Sequence, residues 1–282
     1  MEWVLNFRSD LATIIFKGFT ALGDEPFILV FLPALYWWSS GKEKMSRLGI
    51  IVLFTIILNG FLKGIFQVPR PEIIPWLVQA DGYSFPSGHA QSSTVLWGYL
   101  ALISRKPIMV WISGILIMGI ALSRVYLGVH TPLDISMGIV IGTATIAGYE
   151  FLRNIKIAGW TALGSMRQSI VIAVILLGVF MVAPEIDETV IKGGGTFIGF
   201  LLGISFIKEK FTHLFEEKKI PILKNIIFLI IGLVVVIAIK IGVKMGFHAV
   251  GYETEFANFI RYSLIGIWVS FGLPQLREVI KF

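Results

Sequence analysis

Three polar sequences interrupt a chain that is otherwise largely apolar: Lys63-Gly-Ile-Phe-Gln-Val-Pro-Arg70-Pro71, Phe85-Pro-Ser-Gly-His89 and Ser123-Arg-Val-Tyr-Leu-Gly-Val-His-Thr-Pro-Leu-Asp134. Together they carry three cations, two histidines and one carboxylate. Such groups at the ends of membrane spans are costly unless they pair with each other or with a ligand. These three sequences are therefore the candidate functional site, and the surrounding apolar runs indicate how they are brought together.

The composition predicts an all-α, polytopic membrane protein. Of the 282 residues, 56% are hydrophobic and 15% are charged, against about 25% charged residues in a soluble globular domain. Long apolar runs replace the amphipathic periodicity of soluble helices. The net charge of +6 is explained by basic cytoplasmic loops, so we expect no nucleic-acid partner. The absence of cysteine excludes disulfides, thiolate metal ligands and a thiol nucleophile.

The apolar runs predict nine membrane spans, some of them shorter than the ~20 residues that a span usually needs. They lie at about 26–38, 48–66, 89–103, 108–127, 132–151, 169–182, 193–207, 220–243 and 256–273. Residues 1–22 contain charged residues and lack the apolar core of a signal peptide, which favours an interfacial helix over a poor span. We expect a single membrane domain, 1–282, in which a five-span catalytic core at 23–152 precedes four additional spans at 153–282.

The distribution of lysine and arginine predicts the orientation. Most of them fall in alternate connections, at 41–47, 104–107, 153–168, 208–219 and 274–282. The positive-inside rule places these connections in the cytoplasm. The three polar sequences then share the opposite face, although they belong to different spans. We therefore expect an integral protein of a bacterial cytoplasmic membrane whose site faces outside; the sequence does not predict an oligomeric state.

The cations of the three sequences indicate a phosphate site. Two guanidinium groups and one ammonium group, from Arg70, Arg124 and Lys63, suit an oxyanion when they converge. Ser87 and Gly88 stand where the third span begins, so backbone N–H groups at a helix N-terminus are available to an anion. Snorkelling at a span end explains any one of the cations alone. It does not explain all three, each beside a histidine or glycine sequence.

The two histidines suit covalent catalysis on phosphorus. His130 and Asp134 are four residues apart, which places them on one face if a helix starts near His130. A carboxylate there fixes the tautomer and leaves the other ring nitrogen free to attack, so His130 is the candidate nucleophile that forms a phosphohistidine. His89 is then the general acid, since attack and departure occur on opposite sides of the phosphorus.

Two alternatives compete for the same histidines. A lone histidine in a membrane helix usually makes an interhelical hydrogen bond. Two histidines and a carboxylate (His89, His130 and Asp134) also suit a divalent metal. Three neighbouring cations would repel a metal ion and already supply its charge, so we predict no metal and no other cofactor.

The three sequences resemble the signature motifs of the type 2 phosphatidic acid phosphatase (lipid phosphate phosphatase) superfamily, in its membrane-bound branch. The matches are Lys63-x6-Arg70-Pro71, Pro86-Ser87-Gly88-His89 and Ser123-Arg124-x5-His130-x3-Asp134, with no departure at a signature position. The resemblance implies metal-independent hydrolysis of a phosphomonoester or pyrophosphate, with His130 as nucleophile, His89 as acid and Asp134 as orienter. It also implies that phosphate is held by Lys63, Arg70, Ser87, Gly88 and Arg124.

The substrate is less well defined by the sequence. Nine spans are similar to the layout of glucose-6-phosphatase and sphingosine-phosphate phosphatase. The apolar loop at 67–86 suits a lipid tail, and equally suits interface anchoring by Trp76. A lipid phosphatase acting on polyprenyl pyrophosphate, phosphatidic acid or a sphingoid phosphate is the leading hypothesis. A phosphatase of a small soluble sugar phosphate, and a lipid-phosphate transporter or binding protein that retains the motifs, are the alternatives.

Overall fold

The computed structural model describes residues 1–155, 160, 163–182, 187–215, 221–252 and 254–280, and the regular secondary structure of this part of the chain is helical, without strands. The all-α prediction is therefore confirmed. The helices are α1 (Asp10–Ala21), α2 (Glu25–Trp38), α3 (Lys42–Phe66), α4 (Gly88–Ser104), α5 (Pro107–Tyr126), α6 (Pro132–Leu152), α7 (Ser165–Val182), α8 (Glu188–Lys210), α9 (Ile222–Ala249), α10 (Glu255–Ile267) and α11 (Leu273–Val279). A π-helical turn, Trp268–Gly272, joins α10 to α11.

Each predicted span coincides with a helix, but the count of nine is not confirmed. Among the described residues, six helical segments are long and apolar enough to cross a membrane: α3, α5, α6, α8, α9 and the continuous stretch Glu255–Val279. Two further apolar helices, α2 and α7, are shorter. With 12 residues, α1 is too short to span a bilayer, and its interfacial position stays a prediction.

The described residues form two compact units. The first comprises residues 1–29 and 55–154 together with Asp187, and it contains all three polar sequences. The second comprises the described residues of 30–54, 155–183 and 188–282. Within it, glycines let α8 and α10 approach closely: a Cβ added to Gly195 would lie 2.5 Å from the Phe259 carbonyl oxygen. The prediction of a single domain stays a prediction.

Close packing of α4 against α6 shapes the first unit. The two helices meet at Gly138 and Gly142, which form a Gly-x3-Gly pattern on α6. A Cβ at Gly138 would lie 2.7 Å from the Ser87 carbonyl oxygen, and one at Gly142 would lie 2.8 Å from the Gln91 carbonyl oxygen. The absence of side chains at these two positions allows the backbones to touch, which places the start of α4 beside the start of α6.

The N-terminal segment packs on the same end of the unit. Arg8 donates to the carbonyl oxygens of Pro75 (2.8 Å) and Tyr126 (3.0 Å), so it joins the 67–87 loop to the end of α5. Ser9 caps α1, and the Phe16 ring stacks on the Tyr126 ring at 4.3 Å between centroids. These contacts hold α1 against α5 and bring the turn after α1 towards the polar sequences.

Candidate active site

The structure brings the predicted site residues to one end of the first unit. Lys63 lies in the last turn of α3 and Arg124 in the last turn of α5. Arg70 belongs to the α3–α4 loop, and His130 to the α5–α6 connection. The remaining four residues occupy helix starts: Ser87, Gly88 and His89 at α4, and Asp134 at α6.

His130 connects two of the polar sequences through its two ring nitrogens. Nε2 lies 3.2 Å from Arg70 Nη1, and Nδ1 lies 3.5 Å from Asp134 Oδ2. Both His130 and Asp134 are almost fully buried, at 1% and 3% exposed. The Nδ1–Oδ2 distance exceeds the usual 2.9–3.0 Å of an N–H···O bond, and the buried Nδ1 has no hydrogen-bond partner among the described residues, so its contact with Asp134 is electrostatic. Nε2 is thus the nitrogen on the side of the cations.

The helix carrying Asp134 begins later than the spacing argument assumed. α6 starts at Pro132, so His130 precedes the N-cap Thr131 and is not on a helix face. The carboxylate still reaches the imidazole because Asp134 is the third residue of a capping box. It accepts from the Thr131 backbone N–H at 2.7 Å, while the Thr131 hydroxyl accepts from the Asp134 N–H at 3.2 Å. Capping, rather than i,i+4 helical spacing, therefore places the carboxylate.

The environment of His130 keeps its imidazole neutral. Burial lowers the pKa of His130 to about 3, and the cations Arg70, Arg124 and Lys63 act in the same direction. Asp134 opposes this effect without reversing it. A neutral imidazole has a lone pair available on one nitrogen, as a nucleophile requires.

Arg70 is held by three carbonyl groups. Its guanidinium donates to the carbonyl oxygens of Gly82 (3.1 Å), Asp81 (2.7 Å) and Val129 (3.1 Å). Ser84 closes the base of the same loop, since its N–H donates to the Val68 carbonyl oxygen at 2.8 Å. The guanidinium is therefore oriented by backbone groups from both sides of the site, and one edge of it faces His130.

The other two cations lie in the same electrostatic environment. Arg124 is 5% exposed, and its Nη1 donates to Thr20 Oγ1 at 2.5 Å. Lys63 interacts electrostatically with Arg70, Arg124 and Asp134. Two buried polar atoms beside them, Arg124 Nε and Ser87 Oγ, have no hydrogen-bond partner within the described ranges. Buried polar groups are normally satisfied, so these two atoms suit an oxygen-rich ligand.

A polar network inside the membrane helices supports the start of α4. Asn59 donates to the Pro86 carbonyl oxygen (3.1 Å) and to Gln91 Oε1 (2.9 Å), and Gln91 in turn donates to Thr55 Oγ1 (2.9 Å). A Cβ on Gly88 would lie 2.8 Å from Asn59 Oδ1. Asn59 and Gln91 were not predicted from the sequence, where the only signal was one amide residue within each of two apolar runs.

Asp24 is a third residue of this region that was not predicted from the sequence. Its Oδ1 lies 2.8 Å from His89 Nε2. The hydrogen bond from His89 holds the pKa of Asp24 below its ordinary value. A carboxylate directly before the first apolar run was the only indication of this role in the sequence.

The described residues contain no group of three or more histidine, cysteine, aspartate or glutamate side chains that could hold a metal ion. The Asp24 carboxylate contacts His89, whereas the Asp134 carboxylate contacts His130. The rival metal site at His89, His130 and Asp134 therefore has no support from geometry, and the expectation of a metal-free site stays a prediction.

Two family profiles match separate parts of the chain. The profile described as "PAP2 superfamily" matches residues 44–156, which include all three motifs. The profile described as "PAP2 superfamily phosphatase, transmembrane extension" matches residues 191–280. The second match falls within the four additional spans predicted for 153–282.

Several named proteins are similar to this chain in sequence, over different lengths. Sphingosine-1-phosphate phosphatase 2 of Mus musculus is 29% identical over 164 residues, covering 54% of this chain and 44% of that protein. A dihydrosphingosine 1-phosphate phosphatase of Schizosaccharomyces pombe is 26% identical over 277 residues, covering 86% and 65%. A crystal structure of a transmembrane PAP2 type phosphatidylglycerolphosphate phosphatase from Bacillus subtilis is 25% identical, with a TM-score of 0.48, covering 55% of this chain and 83% of that one. The chain spans less than half the length of the first curated relatives that it matches.

Proposed function

Because this chain belongs to the PAP2 superfamily, we propose that it is an integral membrane phosphatase that hydrolyses a lipid phosphate monoester or pyrophosphate, without a metal, through a phosphohistidine. The observation that carries the proposal is the arrangement at His130. Its Nε2 faces the Arg70 guanidinium at 3.2 Å, and its Nδ1 faces the Asp134 carboxylate at 3.5 Å. The imidazole is thus aligned between an orienting carboxylate and a cation that binds phosphate.

The surroundings of His130 support a phosphate position beside it. Arg124 is buried and Lys63 and Arg70 are partly buried, so their positive charge is costly without an anion. The first-turn amides of α4, beginning at Gly88, point to the same region with the positive end of the helix dipole. A phosphate group there would also satisfy the buried Ser87 hydroxyl and the Arg124 Nε.

Hydrolysis of the phosphate ester then takes place in two steps. His130 Nε2 attacks phosphorus, an N–P bond forms, and the P–O bond to the leaving group breaks as His89 donates a proton to the departing oxygen. In the second step a water molecule gives a proton to His89 and attacks phosphorus. The N–P bond breaks, inorganic phosphate leaves, and both histidines return to their starting states. The three cations stabilise charge on the non-bridging oxygens throughout.

The surroundings of Arg70 support a lipid substrate. Large apolar side chains are exposed on the same loop and at the end of α3: Phe66, Val68, Ile73 and Trp76. The two sequence relatives described above are named as phosphatases of sphingosine phosphates. An apolar surface beside a phosphate site suits an acyl or sphingoid chain that remains in the bilayer while its headgroup enters the site.

The orientation of the first unit supports an extracytoplasmic site. The tight turn between α4 and α5 carries Arg105 and Lys106, at the opposite ends of these helices from Ser87 and Arg124. The positive-inside rule assigns this turn to the cytoplasm. We therefore place the site on the outer face of a bacterial cytoplasmic membrane.

Phosphate release by the purified protein tests the proposal. The substrates are polyprenyl pyrophosphate, phosphatidic acid, sphingosine 1-phosphate and glucose 6-phosphate, each with and without a chelator. We expect release from at least one lipid in preference to the sugar phosphate, no effect of chelator, and complete loss in His130→Ala. His130→Gln serves as a second variant, and His248→Ala, outside the site, serves as the control.

The outcomes separate the alternatives. Full activity in both His130 variants would refute the nucleophile assignment. Preference for glucose 6-phosphate would favour the soluble-substrate alternative. Lipid phosphate that binds to the wild-type protein but releases no phosphate would favour a transporter or binding protein. Loss of activity on adding chelator would refute metal independence.

A further inference from the structure

The turn between α1 and α2 supplies a carboxylate to the second histidine. Asp24 Oδ1 lies 2.8 Å from His89 Nε2, although the two residues are 65 positions apart. The turn can approach this closely because residue 23 is glycine: a Cβ at Gly23 would lie 2.7 Å from His89 Cδ2. The His89 side chain is 21% exposed and that of Asp24 is 46% exposed, so the pair lies at the rim of the site.

The two histidines face their carboxylates with different ring nitrogens. His130 faces its carboxylate, Asp134, with Nδ1 and turns Nε2 to the phosphate side. His89 faces Asp24 with Nε2. A carboxylate accepts a hydrogen bond from the ring N–H that it faces and thereby fixes the tautomer. In neutral His89 the proton therefore resides on Nε2, and Nδ1 is the nitrogen that can take up and release a second proton.

We propose that Asp24 is a positioning residue for His89: it holds the ring through Nε2–H and balances the charge of the imidazolium, so that the proton for the leaving oxygen comes from Nδ1. This inference rests on the proposed function, because it assigns a partner to the acid of that reaction. When the P–O bond breaks, the Nδ1 proton moves to the leaving oxygen and neutral His89 stays bound to Asp24. The water that attacks the phosphohistidine returns a proton to Nδ1.

Electrostatics at His89 show why a partner is needed. Burial opposes the protonated form of His89 most strongly, and Arg124 and Lys63 act in the same direction as like charges. Asp24 is the carboxylate that faces the ring directly. Its hydrogen bond to His89 keeps the pKa of Asp24 low, so the carboxylate is negatively charged at neutral pH.

The end of α1, just before this turn, contacts a residue of the proposed phosphate site. Thr20, near the end of α1, accepts from Arg124 Nη1 at 2.5 Å. At the other end of the segment, Arg8 donates to the carbonyl oxygens of Pro75 and Tyr126. The segment from Arg8 to Asp24 is therefore fixed to the first unit at several points, and it forms one wall of the site.

A comparison of two leaving groups tests the role of Asp24. An alkyl phosphate needs a proton on its departing oxygen, whereas p-nitrophenyl phosphate expels a stable anion. For Asp24→Asn we expect kcat/KM to fall about 10–100-fold with the alkyl phosphate and less than about threefold with p-nitrophenyl phosphate, because the acid is needed only for the first. The alkaline limb of the alkyl profile should move to lower pH, since the imidazolium has lost its counter-charge.

Three further variants complete the test. Asp24→Glu keeps the carboxylate and should recover part of the activity with the alkyl phosphate. Glu25→Gln removes an exposed carboxylate at the start of α2, next to Asp24, and should leave the ratio of kcat/KM for the two substrates unchanged. In a His89→Ala background, Asp24→Asn should cause no further loss of kcat/KM with the alkyl phosphate, as expected for a residue that acts through His89.

The outcomes keep the two proposals apart. If Asp24→Asn loses activity equally with both substrates, or if its pH profile is unchanged, the role of Asp24 is overturned. The proposed function still stands in that case, provided that the wild-type protein is active and His130→Ala is inactive. A wild-type protein that hydrolyses neither substrate nor the lipid panel overturns the proposed function itself. If Asp24→Asn does not fold, as judged by thermal denaturation, Asp24→Ser is measured in its place and is held to the same criterion.

Discussion

Substitution of Gly138 tests whether the contact between α4 and α6 sets the geometry of the site. In Gly138→Ala the new Cβ would lie 2.7 Å from the Ser87 carbonyl oxygen and 3.0 Å from Ala90 Cβ, whereas ordinary contact begins at 3.4 Å. Neither neighbour is the flexible end of a side chain, so the two helices must separate by about 0.7 Å at this point. Overpacking of this kind costs about 1–3 kcal/mol of stability.

The same displacement acts on catalysis. Ser87 donates its N–H to the Asp134 carbonyl oxygen at 3.1 Å, so the starts of α4 and α6 are directly coupled. Separation of the helices moves His89 away from His130, and a misplacement near 1 Å costs up to about 100-fold in rate. We expect Gly138→Ala to lower both the thermal denaturation midpoint and the rate of phosphate release.

A glycine on the same helix provides the matched control. A Cβ at Gly148 meets nothing within 4 Å, so Gly148→Ala should leave activity unchanged and gain at most about 1 kcal/mol from helix propensity. The two variants are compared in the same detergent by denaturation and by phosphate release. If Gly138→Ala matches Gly148→Ala in both measurements, close packing at Gly138 does not position the site.

Three other substitutions test separate parts of the site. Arg70→Lys removes a guanidinium that donates to three carbonyl groups, and we expect kcat/KM to fall about 100-fold; an unchanged value would show that charge alone suffices. Thr131→Val removes the N-cap of α6 and should lower stability by about 1 kcal/mol, whereas Thr131→Ser should retain it. The pKa of His130 is about 3 in the folded protein, against an ordinary value of 6.5. Between pH 3 and 6.5 only the unfolded state binds a proton at this residue, so stability falls as the pH drops below about 6.5. In His130→Gln this part of the pH dependence should disappear from denaturation curves, and its persistence would assign the effect to another group.

The sequence was sufficient for the parts of the site that are encoded locally. Each polar sequence lies beside a helix end that its own residues specify, such as Thr131 and Pro132 at the start of α6. The apolar runs then predict which helix ends share a face, because each predicted span reverses the direction of the chain. Convergence of Arg70, His130 and Asp134 followed from these two rules.

Contacts between distant residues could not be predicted in the same way. Asn59 and Gln91 are 32 positions apart, and each alone is indistinguishable from the polar residues that join membrane helices without catalytic purpose. Asp24 directly precedes α2, and a negative charge at a helix N-terminus is common without any catalytic role. Gly138 and Gly142 appear among 29 glycines, and only the structure shows that α4 lies against them.

The contrast between the two histidine–carboxylate pairs has a physical basis. As the proposed nucleophile, His130 must present one nitrogen to phosphorus in a fixed direction, and the capping box of Thr131 and Asp134 supplies that rigidity within a single connection. As the proposed acid, His89 must instead hold a positive charge in a buried environment among cations, which requires a negative charge from outside the motifs. The turn at Asp24 meets this requirement only because α1 is fixed against α5, so the acid depends on the packing of the N-terminal segment. The three motifs therefore contain both side-chain partners of the proposed nucleophile, His130, but not the carboxylate partner of the proposed acid, His89.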